Sequence, residues 1–220
     1  MVVPPGSKRR ARPIARLLAV ALVVELAALA SLGTPVAQAA VAKVQSGTAL
    51  TQTTGTSITP TLTSASTAGN LLVAVIDTGA NTTVSAPAGW VKATSVFLSG
   101  TGTTQIWYDA NNAGAISSVH FTLSVSDRAR AQLSEWSGVE KNTPLDVTST
   151  ATKSTNATTL AVAATATAAN ELAITSFATS TGTSGNTFTP ASGWTNLESA
   201  ATVSDTADWH TGVRSGSVTG

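Results

Sequence analysis

Val119, Phe121 and Leu123 alternate with His120, Thr122 and Ser124, a period of two that lays one apolar and one polar face along an extended segment. Leu71 to Ile76 is instead continuously apolar, as in a strand covered on both sides. Beyond residue 40 no stretch sustains a 3.6-residue apolar period, and Gly, Asn, Ser and Pro punctuate the short runs. Strands are predicted at Ala42 to Val44, Ser57 to Leu62, Asn70 to Asp77, Val91 to Leu98, Thr104 to Asp109 and Ser117 to Ser124. Further strands are predicted at Arg130 to Ser137, Thr158 to Ala164, Asn170 to Ala178, Thr195 to Ser199 and Ala207 to Val213. Thr, Ser, Val and Ala dominate these segments, and β-branched residues favour a pleated surface over a helix. The expected fold is all-β: an antiparallel β-sandwich, jelly-roll-like, with an internal pseudo-repeat.

The repeat is visible in the motifs. Ala68-Gly69-Asn70-Leu71-Leu72-Val73 returns one hundred residues later as Ala168-Ala169-Asn170-Glu171-Leu172-Ala173, Ala86-Pro87-Ala88-Gly89-Trp90 returns as Pro190-Ala191-Ser192-Gly193-Trp194, and Trp107 finds a counterpart in Trp209. Copies of one supersecondary unit within a chain commonly share a core, which favours a scaffold or binding module over an enzyme. The second copy is short. Gly89 to Gly138 spans 49 residues, Gly193 to Gly220 only 27, so counterparts of His120 to Leu123 and Arg130 to Ser137 are missing. Either the gene product is a fragment or the second copy is naturally abbreviated. Missing strands would leave a sheet edge open to pairing with another chain, and hence to self-association by strand addition.

The N-terminus follows a different grammar. Lys8, Arg9, Arg10, Arg12 and Arg16 precede an apolar run from Leu17 to Leu32, broken by Glu25 and Ser31, and Ala37-Gln38-Ala39 offers a small-residue cleavage pattern. Residues 1–40 are therefore expected to be a removable secretion signal and 41–220 a single sandwich domain. The run is short for a membrane span of about 20 residues. The route, general or twin-arginine, is left open, because Ala11-Arg12-Pro13 follows the arginine pair.

Charge changes meaning once that segment is set aside. Five of the twelve basic residues and one of the eleven acids lie before residue 40, leaving seven against ten, a formal net of −3. No basic cluster remains to neutralise a row of phosphates, so nucleic acid is not an expected partner. The chain has no cysteine, which excludes disulfides, thiolate metal ligands and a thiol nucleophile.

Taken in order, the motifs Ala68-Gly69-Asn70-Leu71-Leu72-Val73, Gly89-Trp90, Ile106-Trp107-Tyr108, Glu135-Trp136-Ser137-Gly138-Val139 and Thr143-Pro144-Leu145-Asp146 resemble an uncharacterised β-sandwich module of secreted bacterial and phage-tail-type surface proteins. The resemblance implies a fold and an extracellular setting, without an activity.

Candidate chemistry is sparse. Trp90 and Trp194 hold equivalent places after turns and are expected in the core. Trp107 and Tyr108 are neighbours on a strand and must face opposite sides, so one is expected at a rim. With Trp209 they form the candidate ligand face, aromatic rings being stacking platforms for sugars. His120 is expected to face solvent. No His-Glu-x-x-His or Gly-x-Ser-x-Gly spacing occurs, which removes the usual frameworks for zinc hydrolysis and serine nucleophiles. Glu135 and Asp109 are the acids a polysaccharide hydrolase or lyase would use; the structural alternative pairs Glu135 with Arg130 or Lys92. Asp109, Asn111 and Asn112 leave calcium open as a ligand, with an Asx turn the simpler account. Asp127-Arg128, Asn142-Thr143-Pro144 and Asp205 read as turn chemistry. The expectation is an exported, non-catalytic adhesion or recognition module with no required cofactor, its partner a polysaccharide or cell-surface glycan, with no membrane association after signal cleavage. A structural subunit of an extracellular assembly is the third class.

Overall fold

The computed structural model describes residues 40–100, 102–152, 164, 165, 167, 171–179, 194–198 and 206–213, with backbone alone for 177, 179, 195, 196, 198 and 206–213. The expected signal segment (save Ala40), the strand expected at Thr158 to Ala164 (save Ala164 itself), Asp205 and the expected loop from Ser180 to Asn186 lie outside the described residues.

The chain is an antiparallel all-β sandwich; among the described residues there is no helix. Twelve strands run in order: β1 (Ala42–Ser46), β2 (Leu50–Gln52), β3 (Ser57–Ile58), β4 (Leu71–Thr78), β5 (Val84–Ser85), β6 (Val91–Leu98), β7 (Gly102–Asp109), β8 (Phe121–Leu123), β9 (Ala129–Ser137), β10 (Leu172–Thr179), β11 (Thr195–Glu198) and β12 (Thr206–Val213). A six-stranded sheet is ordered β1-β9-β4-β7-β6, with β2 also on β9; two three-stranded sheets are ordered β3-β8-β5 and β10-β12-β11.

The central strand β4 is buried along its whole length, because both of its faces are covered. Leu72, Ala74 and Ile76 join Trp107, Ala131 and Leu133 against Ile58, Val84, Phe121 and Leu123 of the β3-β8-β5 sheet. Leu71, Val73 and Val75 face the other way, where Trp136, Tyr108 and Ile106 pack with Leu172, Ile174 and Leu197 of the β10-β12-β11 sheet. An unbroken apolar run is the signature such a strand needs.

Val119, Phe121 and Leu123 are buried, while His120, Thr122 and Ser124 are exposed, as the alternation requires. The ladder there is shorter than expected. Ser57↔Thr122, Ile58↔Phe121 and Thr61↔Ser118 share one register. Pro60 interrupts it, since it has no N–H to give, although its carbonyl still accepts from Val119 N–H at 3.1 Å. Strands β2 and β5, of three and two residues, are too short to leave an alternating trace.

The β10-β12-β11 sheet has the strand order of β4-β7-β6, and each has a bulge at the same distance after its Gly-Trp pair, between Lys92 and Thr94 and between Asn196 and Glu198. The ladder corrects one alignment. Lys92 faces Trp107, whereas Asn196 faces His210 and Glu198 faces Trp209. Counted from the Gly-Trp pairs Trp209 thus stands where the first ladder has Ile106, and counted from Asn70 and Asn170 where it has Gln105, in neither case at the place of Trp107.

Candidate functional site

Glu135, on β9, is 0 % exposed. Its Oε2 accepts from Gln45 Nε2 at 2.6 Å, and its Oε1 from Thr67 N–H at 2.8 Å and Asn70 Nδ2 at 2.7 Å. Gln45 is held in turn, its Oε1 accepting from the Thr63 hydroxyl, Ser64 N–H and the Ser64 hydroxyl. Burial pushes the Glu135 carboxyl up, but the donors on Gln45, Thr67 and Asn70 outweigh it and hold the group below the usual glutamate range. The expected pairing with Arg130 or Lys92 is not what the structure has. Arg130 lies on the opposite face of β9, in register with Asp77, and the Lys92 ammonium lies 5.4 Å from the Trp107 ring centroid.

Next to this knot, buried Asn112 accepts from the Ser66 hydroxyl and Gly114 N–H, each at 2.8 Å, and donates to the carbonyls of Thr67 at 3.0 Å and Asn70 at 2.6 Å. Its side-chain oxygen is thus engaged within the protein rather than turned toward a cation. Asp109 is half-buried. Burial raises its carboxyl above the ordinary range, and the long 3.4 Å bond from Asn111 N–H only partly opposes this. Asp109 and Glu135 both stand in register with Leu72, from its two sides. A full strand separates them, about 10 Å between backbones. Both oxygens of Glu135 accept from protein donors.

The aromatic candidates divide as the strand period demands. Trp107 is 8 % exposed, donates Nε1–H to Gln105 at 3.1 Å and packs against Phe121 with centroids 6.2 Å apart. Tyr108 is half-buried on the other face, in the cluster of Leu71, Val73 and Trp136. Trp107 is therefore largely enclosed, with the Lys92 ammonium on its ring. For Trp209 the backbone alone is described, paired with Ser176 and Glu198. Trp90 packs edge-on against Phe121 at 5.4 Å and 79°, as expected of a core tryptophan. His120 is exposed, its Nδ1 3.0 Å from the hydroxyl of its cross-strand neighbour Thr59.

The expected turn chemistry is only partly local. Asp127 accepts from Ala80 N–H, the Thr82 hydroxyl and Arg128 N–H, and the turn at Asn142-Thr143 is closed by Glu140, which accepts both amides. Asp146 accepts both the amide and hydroxyl of Thr167, fastening the Thr143-Pro144-Leu145-Asp146 motif to a segment 21 residues on.

One group escaped the sequence reading. Asp77 closes β4 at 8 % exposed, in register with Arg130 on β9 and Thr104 on β7. Both of its oxygens are buried without a well-formed hydrogen bond, and the Thr104 hydroxyl is the one group of β7 near enough to favour the charged form. Burial dominates, raising the carboxyl from 3.8 to about 7 against the opposing pull of Thr104 and the Arg130 charge. The available signal was phase: Asp77 continues Leu71, Val73 and Val75 on a face already assigned as buried.

No family model matches the chain, and no curated protein or solved structure is significantly similar to it.

Proposed function

We infer that the protein is an exported, non-catalytic recognition module acting at the cell surface or outside the cell, with polysaccharide as its ligand class. The observation that carries this reading is Glu135: the best-placed carboxylate for glycoside chemistry is sealed, with three protein donors on its two oxygens. The charge pattern before residue 40 and the motif order from Asn70 to Asp146 support the extracellular part. The shared strand order and bulge position support reading β10-β12-β11 as an abbreviated second copy of β4-β7-β6.

Ligand contact is assigned to two separate places, the rim where exposed Lys92 lies on Trp107 and, on the opposite face of β7, the exposed part of half-buried Tyr108, with Trp209 a third candidate. A glycan array probed with the protein tests this. Retention of a neutral polysaccharide, weakened at least tenfold in Tyr108→Ala or Lys92→Ala with melting unchanged, supports the reading. Retention unaffected in both variants discards both contacts, and release of reducing ends that Glu135→Gln abolishes overturns the non-catalytic assignment.

A structural subunit of an extracellular assembly is the second reading, favoured by β6. This eight-residue strand ends the six-stranded sheet, nothing among the described residues pairs with its outer edge, and Val91 and Phe97 are exposed along it. Such an edge is a template for strand addition. A strictly monomeric mass by size exclusion with light scattering at high protein concentration removes this reading.

A further inference from the structure

We propose that Asp77 is a protonation-dependent latch between the six-stranded sheet and the β10-β12-β11 layer, which seats firmly when the carboxyl is neutral and loosens when it ionises. The geometry comes first. Asp77 shares a face with Val73 and Val75, and that face is the one Ile174 and Leu197 cover. Leu172 and Ile174 pack in this seam, and Ser176 continues their phase with its hydroxyl buried and without a hydrogen bond. The same seam therefore holds unsatisfied polar oxygens on both sheets: two on Asp77 and one on Ser176.

Each packed element contributes a defined group. On β9, Arg130 stands opposite Asp77 and donates Nη1–H to Thr51 at 3.3 Å. Thr104 on β7, Thr51 on β2 and Ser176 on β10 do not titrate. On β12, Asp208 and His210 pair with Phe177 and Thr175, the register positions alternate to Ser176, and on β11 Glu198 stands in register with Trp209. Among the described residues, Arg130 is thus the one cation placed to offset a charge on Asp77 from the sheet itself.

A buried carboxylate without hydrogen bonds is costly when charged. Separating the layer from the sheet returns Asp77 to water, where it ionises at its ordinary value. Because the seated state holds the proton more tightly than the opened state, seating is strongest in acid. It weakens as pH rises from about 4 through about 7, the window between the ordinary and the raised value. Between about pH 5 and pH 8.5 a shift of this size changes the opening equilibrium roughly a hundredfold.

Amide hydrogen exchange on the full chain, corrected for the intrinsic pH dependence of exchange, reads this directly. In the wild type, protection in β10 is expected to fall about a hundredfold over that range while Phe121 in β8, on the far side of the sheet, keeps its protection. In Asp77→Asn the β10 change should disappear. Independently of any variant, the Asp77 side-chain carbon should titrate near neutrality in a carboxyl NMR series. Protection in β10 that ignores pH, an equal loss in β8, a response that survives in Asp77→Asn, or an Asp77 midpoint near 4 would each overturn the proposal.

Discussion

Replacing Glu135 by glutamine removes one charge and turns one acceptor into a donor inside a knot in which every approaching group is a donor. The amide oxygen can take the two-donor side, facing Thr67 N–H and Asn70 Nδ2, leaving its NH2 against Gln45 Nε2. Gln45 cannot easily turn its own oxygen inward, because that oxygen already accepts three bonds from Thr63 and Ser64. Two charge-assisted bonds therefore weaken to neutral ones and a third is replaced by facing N–H groups. With bonds to charged groups worth roughly 1.5–3 kcal/mol and neutral ones about 1 kcal/mol, and with relief of carboxylate burial offsetting part, the expected loss at pH 7 is about 2–4 kcal/mol. Because the folded-state carboxyl is held below its ordinary 4.5, its contribution is present above that value and is lost as pH falls through the lowered one. The deficit of Glu135→Gln should accordingly shrink in acid. Urea denaturation of both proteins at about pH 7 and pH 3 measures it. A variant within about 0.5 kcal/mol of wild type at pH 7 would refute the view that Glu135 is a structural acceptor.

Asn112→Ala removes four hydrogen bonds and leaves the Ser66 hydroxyl, Gly114 N–H and two carbonyls without that partner; a loss of about 2–4 kcal/mol is expected in chemical denaturation, with little relief from Asn112→Asp, which has no N–H to donate to Thr67 and Asn70. Gly102→Ala places a methyl 1.9 Å from the Thr78 carbonyl oxygen at a φ of 129°, so a loss of about 2 kcal/mol or more should appear as a lowered melting temperature.

The main lines of the fold were readable because burial leaves a phase. The continuous run at Leu71 to Ile76 and the alternation around Phe121 correctly assigned faces without any knowledge of partners. What stayed hidden depended on partners. Nothing in Glu135-Trp136-Ser137 reveals that the carboxylate meets Gln45, Thr67 and Asn70, since those donors arrive from 90, 68 and 65 residues away. Pairing it with Arg130 looked reasonable by proximity in sequence, yet five positions along a strand is an odd number and puts the two on opposite faces. The alternation of Trp107 and Tyr108 leaves open which of them is covered; the β3-β8-β5 sheet, of which only β8 carries a readable pattern, leaves Trp107 8 % exposed. Trp209 likewise misses the place that motif matching assigns it, because strand register and not motif order decides which residues face each other.

The β10-β12-β11 layer acquires a physical role from this arrangement. A strand apolar at every position from Leu71 to Ile76 requires cover on two sides; the segments up to Ser137 close one of them through Ile58, Val84, Phe121 and Leu123 and bring only Val41 and Ala49 to the other. The second side is met by Leu172, Ile174 and Leu197, borne on three strands that, among the described residues, have no small sheet of their own behind them. Three strands suffice for that task, because a layer lying on an existing sheet needs one apolar face and not two. The same economy explains where the polar groups go. Along the seam the apolar pairing runs out at Val75, and there Asp77, Arg130, Gln132 and Ser176 take over. A seam that is apolar at one end and ionisable at the other can hold at the first while responding to pH at the second. That division is why the layer, more than the enclosed Phe121 core, is where regulation by proton concentration should be sought.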